Sequence, residues 1–255
     1  MEHGAELIAG RFRVEETVHR SARGSVLRAR DRADGSAVAL KIRARDAEHP
    51  DPEVGVLLRL GPHPGLPVVR EELVLDDGRL VGIVMDWIDG ADLETLRMRR
   101  PRHRFPPPEV AGIVSQAADT LDHLHRQDPV IVHGDVKPSN LMLTPGGRVV
   151  LMDFDVAGVG SFRTPAGSRG YLAPEAAAGG SVGPAIDVYG LAATAVALLT
   201  GTPPGSGVLE LPESVSGSGP AAERALRRAL AADPGRRTAS AGRLAAELRA
   251  SLGVE

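Results

Sequence analysis

Up to about Asp86 the apolar residues come in runs too short for helices, each bounded by turn chemistry, and beyond Gly90 the spacing becomes helical. The early runs are Arg13–Glu15, Ser25–Ala29, Ala37–Ile42, Leu73–Leu75 and Leu80–Met85. Asp34-Gly35 and Asp76-Asp77-Gly78 separate them at hairpin spacing, which predicts an antiparallel sheet. Pro52–Leu60 interrupts the strands with apolar residues at 54, 57, 58 and 60, a helical stripe stopped by Gly61-Pro62. Past Gly90, helices are predicted at Asp92–Leu96, Pro108–His125, Ala221–Ala231 and Ser240–Leu252. The apolar run Leu191–Leu199 falls well short of the roughly 20 residues a membrane span requires, so it predicts a buried helix. Short strands at Val130–Val132 and Val149–Met152 flank residues 133–140, and the second leads into Asp153-Phe154-Asp155. The expected class is α+β, with a small antiparallel sheet and one helix first and a mainly helical part after it.

A chain of 255 residues with 42% hydrophobic and 25% charged residues has the composition of a folded globular protein. It contains no Cys, which removes disulfides, zinc ribbons, thiol nucleophiles and iron–sulfur clusters together. The net charge of −3 supplies no global basic field, so neither nucleic acid nor a membrane is an expected partner. The start, Met1-Glu2-His3-Gly4, lacks a basic region followed by an apolar stretch, and the cytoplasm is the expected location.

Two residue types are rare, and they cluster. Of 30 basic side chains only Lys41 and Lys137 are lysines, and Asn140 is the sole asparagine. Lys137 and Asn140 share the stretch His133-Gly134-Asp135-Val136-Lys137-Pro138-Ser139-Asn140. A lysine offers a compact ammonium with three donors, unlike the guanidinium used elsewhere in this chain. Asp135 offers a proton acceptor, and Asn140 with Asp153 offers an amide and a carboxylate oxygen. That pair suits Mg²⁺, which binds through one or two protein oxygens and substrate phosphates.

In order and spacing these residues resemble a bacterial Hanks-type (eukaryotic-like) serine/threonine protein kinase domain, from residue 12 to about 250. The resemblance implies a single bilobal domain over 1–255, with an N-lobe at about 11–85, a hinge at about 86–90 and a C-lobe at about 91–252. It implies ATP as phosphoryl donor, Mg²⁺ or Mn²⁺ as metal, and Ser or Thr of proteins as acceptor. Asp135 would be the catalytic base and Lys137 the γ-phosphate contact. Lys41, in Val38-Ala39-Leu40-Lys41, would contact the α and β phosphates and pair with Glu53. Asn140 and Asp153 would hold the metal. Val18, Gly24, Val26, Ala39, Lys41, Met85, Asp86, Ile88, Asp92 and Met142 would bind the nucleotide. By the same resemblance Glu175 of Ala173-Pro174-Glu175 would pair with Arg237, Asp187 would anchor the catalytic loop, and Ser168 would touch Asp135 and Lys137; His133 is expected in the core, since a histidine in such a place more often packs and hydrogen-bonds than reacts.

Three positions depart from the family's pattern. The nucleotide loop His19-Arg20-Ser21-Ala22-Arg23-Gly24-Ser25-Val26 keeps only the third of three glycines. Gly134 replaces an arginine that clasps an activation-loop phosphate, so activity is expected not to require phosphorylation of Ser161, Thr164 or Ser168. Asp155 stands where the metal motif has glycine, and its side chain is expected to tolerate a left-handed turn. Two other functions fit parts of the pattern: a noncatalytic kinase-like scaffold, and a phosphotransferase acting on small molecules in the manner of aminoglycoside kinases. Lys137-Pro138 and Ala173-Pro174-Glu175 argue against the small-molecule enzyme.

Overall fold

Among the residues described by the computed structural model, 7–21, 24–45, 52–159, 168–180, 183–204 and 219–252, six strands precede residue 87 and form one antiparallel sheet. They are β1 (Leu7–Ile8), β2 (Phe12–Ser21), β3 (Gly24–Asp31), β4 (Ala37–Ala44), β5 (Val69–Leu75) and β6 (Leu80–Asp86), in the order β1-β2-β3-β4-β6-β5. Turn chemistry sets the hairpins. Between β3 and β4, Gly35 takes φ +75° and Asp34 Oδ1 accepts from the Ser36 amide and hydroxyl at 2.8 and 2.6 Å. Between β5 and β6, Asp76, Asp77 and Gly78 all lie at positive φ. Alternation along the strands then puts Leu27, Ala29, Val38, Leu40 and Val84 into one core with Phe12.

Helix α1 runs Pro52–Leu60, as the sequence predicts, and Gly61 at φ +66° ends it. Its buried face differs from the predicted stripe. Val56, Leu57 and Leu60 are buried, whereas Leu58 is 64% exposed. The i, i+3, i+4, i+7 face therefore starts at Glu53, which is turned inward and 2% exposed.

The chain divides into two units, one of residues up to 62 with 67–89, the other of 63–66 with those from 90 onward. In the second, β7 (Ala91–Asp92) precedes α2 (Leu93–Met98) and α3 (Pro107–His125). Then come β8 (Ile131–Val132), β9 (Leu141–Leu143), β10 (Val149–Leu151) and β11 (Gly158–Val159), and after them α4 (Pro174–Ala177), α5 (Pro184–Thr200), α6 (Pro220–Ala229) and α7 (Ala241–Ser251). Helix α5 is buried on every side from Ile186 to Thr200, so its apolar run is a core helix. No helix among the described residues is long and apolar enough to cross a membrane. Strands β10-β9-β7 form one small sheet and β11-β8 another. The Gln116 side chain joins α3 to the β9–β10 turn, donating to Gly147 O at 2.9 Å and accepting from Val149 N at 3.0 Å.

Candidate active site

Residues 133–140 connect β8 to β9, and a buried carboxylate from α5 holds the first of them. Asp187 Oδ2 accepts from the His133 amide and from His125 Nε2, and Oδ1 from the Gly134 amide, each at 2.8 Å. Burial pushes the Asp187 carboxyl up, but the His125 bond and charge, His133 and the Gly134 amide outweigh it and hold the group below the ordinary carboxylate range. His133 is fully buried and meets Phe154 edge-on at 4.8 Å. Its Nε2 lies 3.0 Å from Met152 O and its Nδ1 accepts from the Asp135 amide at 3.3 Å, partners that dictate the Nε2–H tautomer. Gly134 has φ +84°, and a Cβ there would lie 3.3 Å from Val156 O. Backbone shape, as well as the missing side chain, thus suits glycine at this position.

The four polar residues that follow close on one another. Lys137 Nζ donates to Asp135 Oδ2 at 2.5 Å and to Ser168 Oγ at 2.6 Å. The Ser168 amide returns to Asp135 Oδ1 at 3.1 Å. Asn140 Nδ2 donates to Asp135 O at 2.9 Å and to Oδ2 at 3.2 Å. That commits the amide nitrogen of Asn140 and leaves its oxygen as a neutral hard ligand. Met152 N donates to Asn140 O at 2.8 Å, which draws the end of β10 to this loop, with Asp153 next in the chain. Asp153 holds φ +65°, a left-handed conformation that a non-glycine residue keeps only when its surroundings impose it. The left-handed residue of this turn is therefore Asp153. Asp155 is not among the positive-φ residues, so replacing glycine there costs no backbone strain.

In the sheet unit, Lys41 Nζ lies 2.7 Å from Glu53 Oε2, and Arg43 Nη2 lies 3.8 Å from the same oxygen. The register pairs Val26 with Lys41 and Ala39 with Met85. Alternation puts these four residues on one sheet face, opposite the core formed by Leu27, Val38, Leu40 and Val84. Val18 sits apart, in a bulge between Thr17 and His19, and is 49% exposed. Strand β2 runs extended through His19–Ser21, and Ala22 and Arg23 lie outside the described residues. Gly24 is at φ +153° where a Cβ would meet Ile42 O at 2.3 Å, so close strand approach requires this one retained glycine. Asp86 N donates to Val68 O and its carboxylate takes Arg70 Nε at 2.5 Å, while Ile88 is 7% exposed.

In the helical unit Asp92 and Met142 are register partners across β7 and β9. The Asp92 carboxylate caps α2, accepting from Thr95 N at 2.8 Å and Thr95 Oγ1 at 2.7 Å. Glu175, in the first turn of α4, meets Arg237 through two bonds of 2.5 and 2.6 Å. The other Arg237 donors reach Ala231 O, Ala185 O and Ala232 O, and its guanidinium lies 5.0 Å over the Tyr189 ring. Ser161 and Thr164 lie outside the described residues. Two features had no sequence signal: the His125 contact to Asp187, and Gly190 of α5, where a Cβ would lie 2.8 Å from Val136 O.

Residues 12–214 match the protein kinase domain family. The chain belongs to this family. It is 35% identical to the serine/threonine-protein kinase PkaA of Streptomyces coelicolor over 78% of its own length and 40% of that protein. It is 36% identical to the serine/threonine-protein kinase PknF of Mycobacterium tuberculosis over 56% of its own length and 31% of that protein. It is also 30% identical to human ribosomal protein S6 kinase alpha-2 over 72% of its length and 26% of that protein. The matched stretches thus span less than half the length of these protein kinases.

Proposed function

We propose that this chain is a serine/threonine protein kinase that transfers the γ-phosphoryl group of ATP to Ser and Thr hydroxyls of proteins in the cytoplasm. The observation that carries the reading is the closed hydrogen-bonded ring of Asp135, Lys137 and Ser168, with Asn140 tied to Asp135, in a chain of the protein kinase family. Asp135 orients the acceptor hydroxyl and takes its proton as the oxygen bonds the γ-phosphorus and the bond to the β-phosphate oxygen breaks. Lys137, held by Asp135 and Ser168, stands against the charge of the transferring group. Lys41, fixed by Glu53, takes the α and β phosphates. Val18, Gly24, Val26, Ala39, Met85, Asp86, Ile88, Asp92 and Met142 bind the rest of the nucleotide.

The oxygen of Asn140 and the carboxylate of Asp153 fit Mg²⁺, being hard and few. When bound, that ion neutralises phosphate oxygens and orients the donor. Protein contributions are otherwise positional and electrostatic, so small displacements of Asp135 carry large rate penalties.

A scaffold reading draws on one observation, the extended His19–Ser21 stretch in place of glycines. Phosphoamino-acid analysis after incubation with γ-labelled ATP, Mg²⁺, a protein panel and an aminoglycoside separates the readings. Label on protein Ser or Thr is expected. Label on the aminoglycoside alone, or on nothing while ATP binds, would overturn the proposal.

A further inference from the structure

The ring around Asp135 opens onto a pocket of about 290 Å³ lined by Glu94, Arg97, Lys137, Ser168, Tyr171 and Pro203, among others. Lys137 and Ser168 belong to both, so residues flanking an acceptor hydroxyl at Asp135 fall over this pocket. Its one carboxylate is already taken. Glu94 accepts from Arg97 Nε at 2.6 Å and from Nη2 at 2.5 Å, and Arg97 Nη1 donates to Gly201 O at 2.8 Å. Arg97 is 7% exposed, so a basic substrate side chain finds this carboxylate occupied by a fixed, bidentate guanidinium. Burial, followed by the charge of Glu94, pushes the Tyr171 phenol up to about 12, which keeps it a neutral donor.

Among the described residues of the segments next to this lining, 99–104 and 168–171, the charges without a partner of opposite sign are arginines. Arg169, next to Ser168, is exposed and has no carboxylate partner among the described residues. Gly201, which receives Arg97, packs under residues 101–103, since a Cβ on it would lie 2.5 Å from Arg102 O. This segment carries Arg99, Arg100, Arg102, His103 and Arg104. Arg100 pairs with Glu109, whereas Arg99, Arg102 and Arg104 have no carboxylate partner among the described residues. Arg99, Arg102 and His103 are exposed. Arg102 and His103 both hold φ +55°, and Arg104 Nε is buried without a hydrogen-bond partner among the described residues. The left-handed pair folds the segment into a tight turn over Gly201 and leaves Arg102 and His103 on the surface.

We propose that this face selects protein substrates whose acceptor Ser or Thr is flanked by acidic residues. Arg97 closes the one acidic subsite, while Arg169 and the 99–104 segment attract carboxylates on either side of the acceptor. Continuity with Lys137 and Ser168 favours a peptide ligand over a nucleic acid. The proposal rests on the transferase reading above for its purpose, though binding tests it separately.

The experiment measures fluorescence anisotropy of peptides in which Ala replaces the acceptor and three Glu, Ala or Arg residues stand on each side, at about 50 and 200 mM salt. The Glu peptide is expected to bind at least tenfold more tightly than the Arg peptide, with the difference shrinking at high salt. In Arg169→Glu, and in Arg99→Glu combined with Arg102→Gly, the difference is expected to fall below about threefold. Arg102→Gly suits the positive φ, so this variant keeps its fold. Equal binding, a preference for Arg, or an acidic preference that survives both variants would overturn the proposal. So would variants that weaken binding of a single-stranded oligonucleotide while leaving the peptides unchanged. Acidic binding without phosphoryl transfer to the matching Ser peptides would sink the transferase reading alone.

Discussion

Asp187 anchors the start of the 133–140 loop, because its two oxygens fix the His133 and Gly134 amides and orient His125. Replacing it by Asn sets an amide NH₂ against N–H donors in a buried site. Asp187→Asn is expected to lose about 3 kcal/mol in urea unfolding, in line with breaking one side of a buried charged network. Gly134→Ala adds a Cβ at φ +84° and is expected to cost about 1 to 2 kcal/mol by the same measurement. Glu175→Ala leaves the Arg237 guanidinium buried with only carbonyl partners and is expected to cost about 3 kcal/mol. Among single residues, the meeting of Lys137 and Asn140 with Asp135 was legible because the chain's rare lysine and sole asparagine fall into one loop beside it. The Glu94–Arg97 pair was not, since an arginine-rich sequence offers too many such pairs for one to stand out. The His125–Asp187 contact joins residues 62 apart and has no local signature.

Helix α5 sets the level of the 133–140 loop through a glycine. A Cβ at Gly190 would lie 2.8 Å from Val136 O and 3.0 Å from Val136 Cβ, between Asp135 and Lys137 in the chain. Gly190→Ala is therefore expected to lower kcat at least tenfold while shifting the thermal midpoint by only a few degrees; steady-state kinetics beside a melting curve checks both. Helix α1 works through periodicity, since its buried Val56, Leu57 and Leu60 carry Glu53 to the inward side where Lys41 meets it. The bounds of α1 and most strands of the large sheet were legible, because turn residues punctuate runs long enough to show a period. Strands β7, β9 and β11 are two or three residues long and show none. The Leu58 reading failed because a nine-residue helix has two plausible apolar stripes, and only packing chooses between them.

For the protein as a unit, the acid limb of stability has a named contributor. Asp31 is buried and takes Arg11 Nε and Nη2 at 2.7 and 2.6 Å, and the Arg11 bonds hold its carboxyl below the usual carboxylate range against desolvation. A depressed carboxyl contributes its stability above the unfolded value of about 3.9 and loses it as pH falls through the folded one. Asp31→Asn is expected to melt earlier at pH 7 and to show a flatter decline below about pH 4; thermal midpoints from pH 7 to pH 3 check the sign. Gly134 has no side chain to clasp a phosphate, so activity is expected not to depend on phosphorylation. Phosphatase treatment is expected to leave the transfer rate within about twofold, and a larger loss restored by an acidic residue at Thr164 would contradict this. The broad order of sheet then helices was legible from texture alone, whereas the engagement of Glu94 by Arg97, and of Arg97 by Gly201 O, appears only in the packing. The most direct measurement is Mg²⁺-dependent transfer from γ-labelled ATP to the protein itself and to Ser-containing substrates, with Asp135→Asn and Lys41→Met alongside. Label on Ser or Thr that falls at least 100-fold in both variants is the predicted result. Absence of label in the parent protein, or label undiminished in Asp135→Asn, would contradict the assignment.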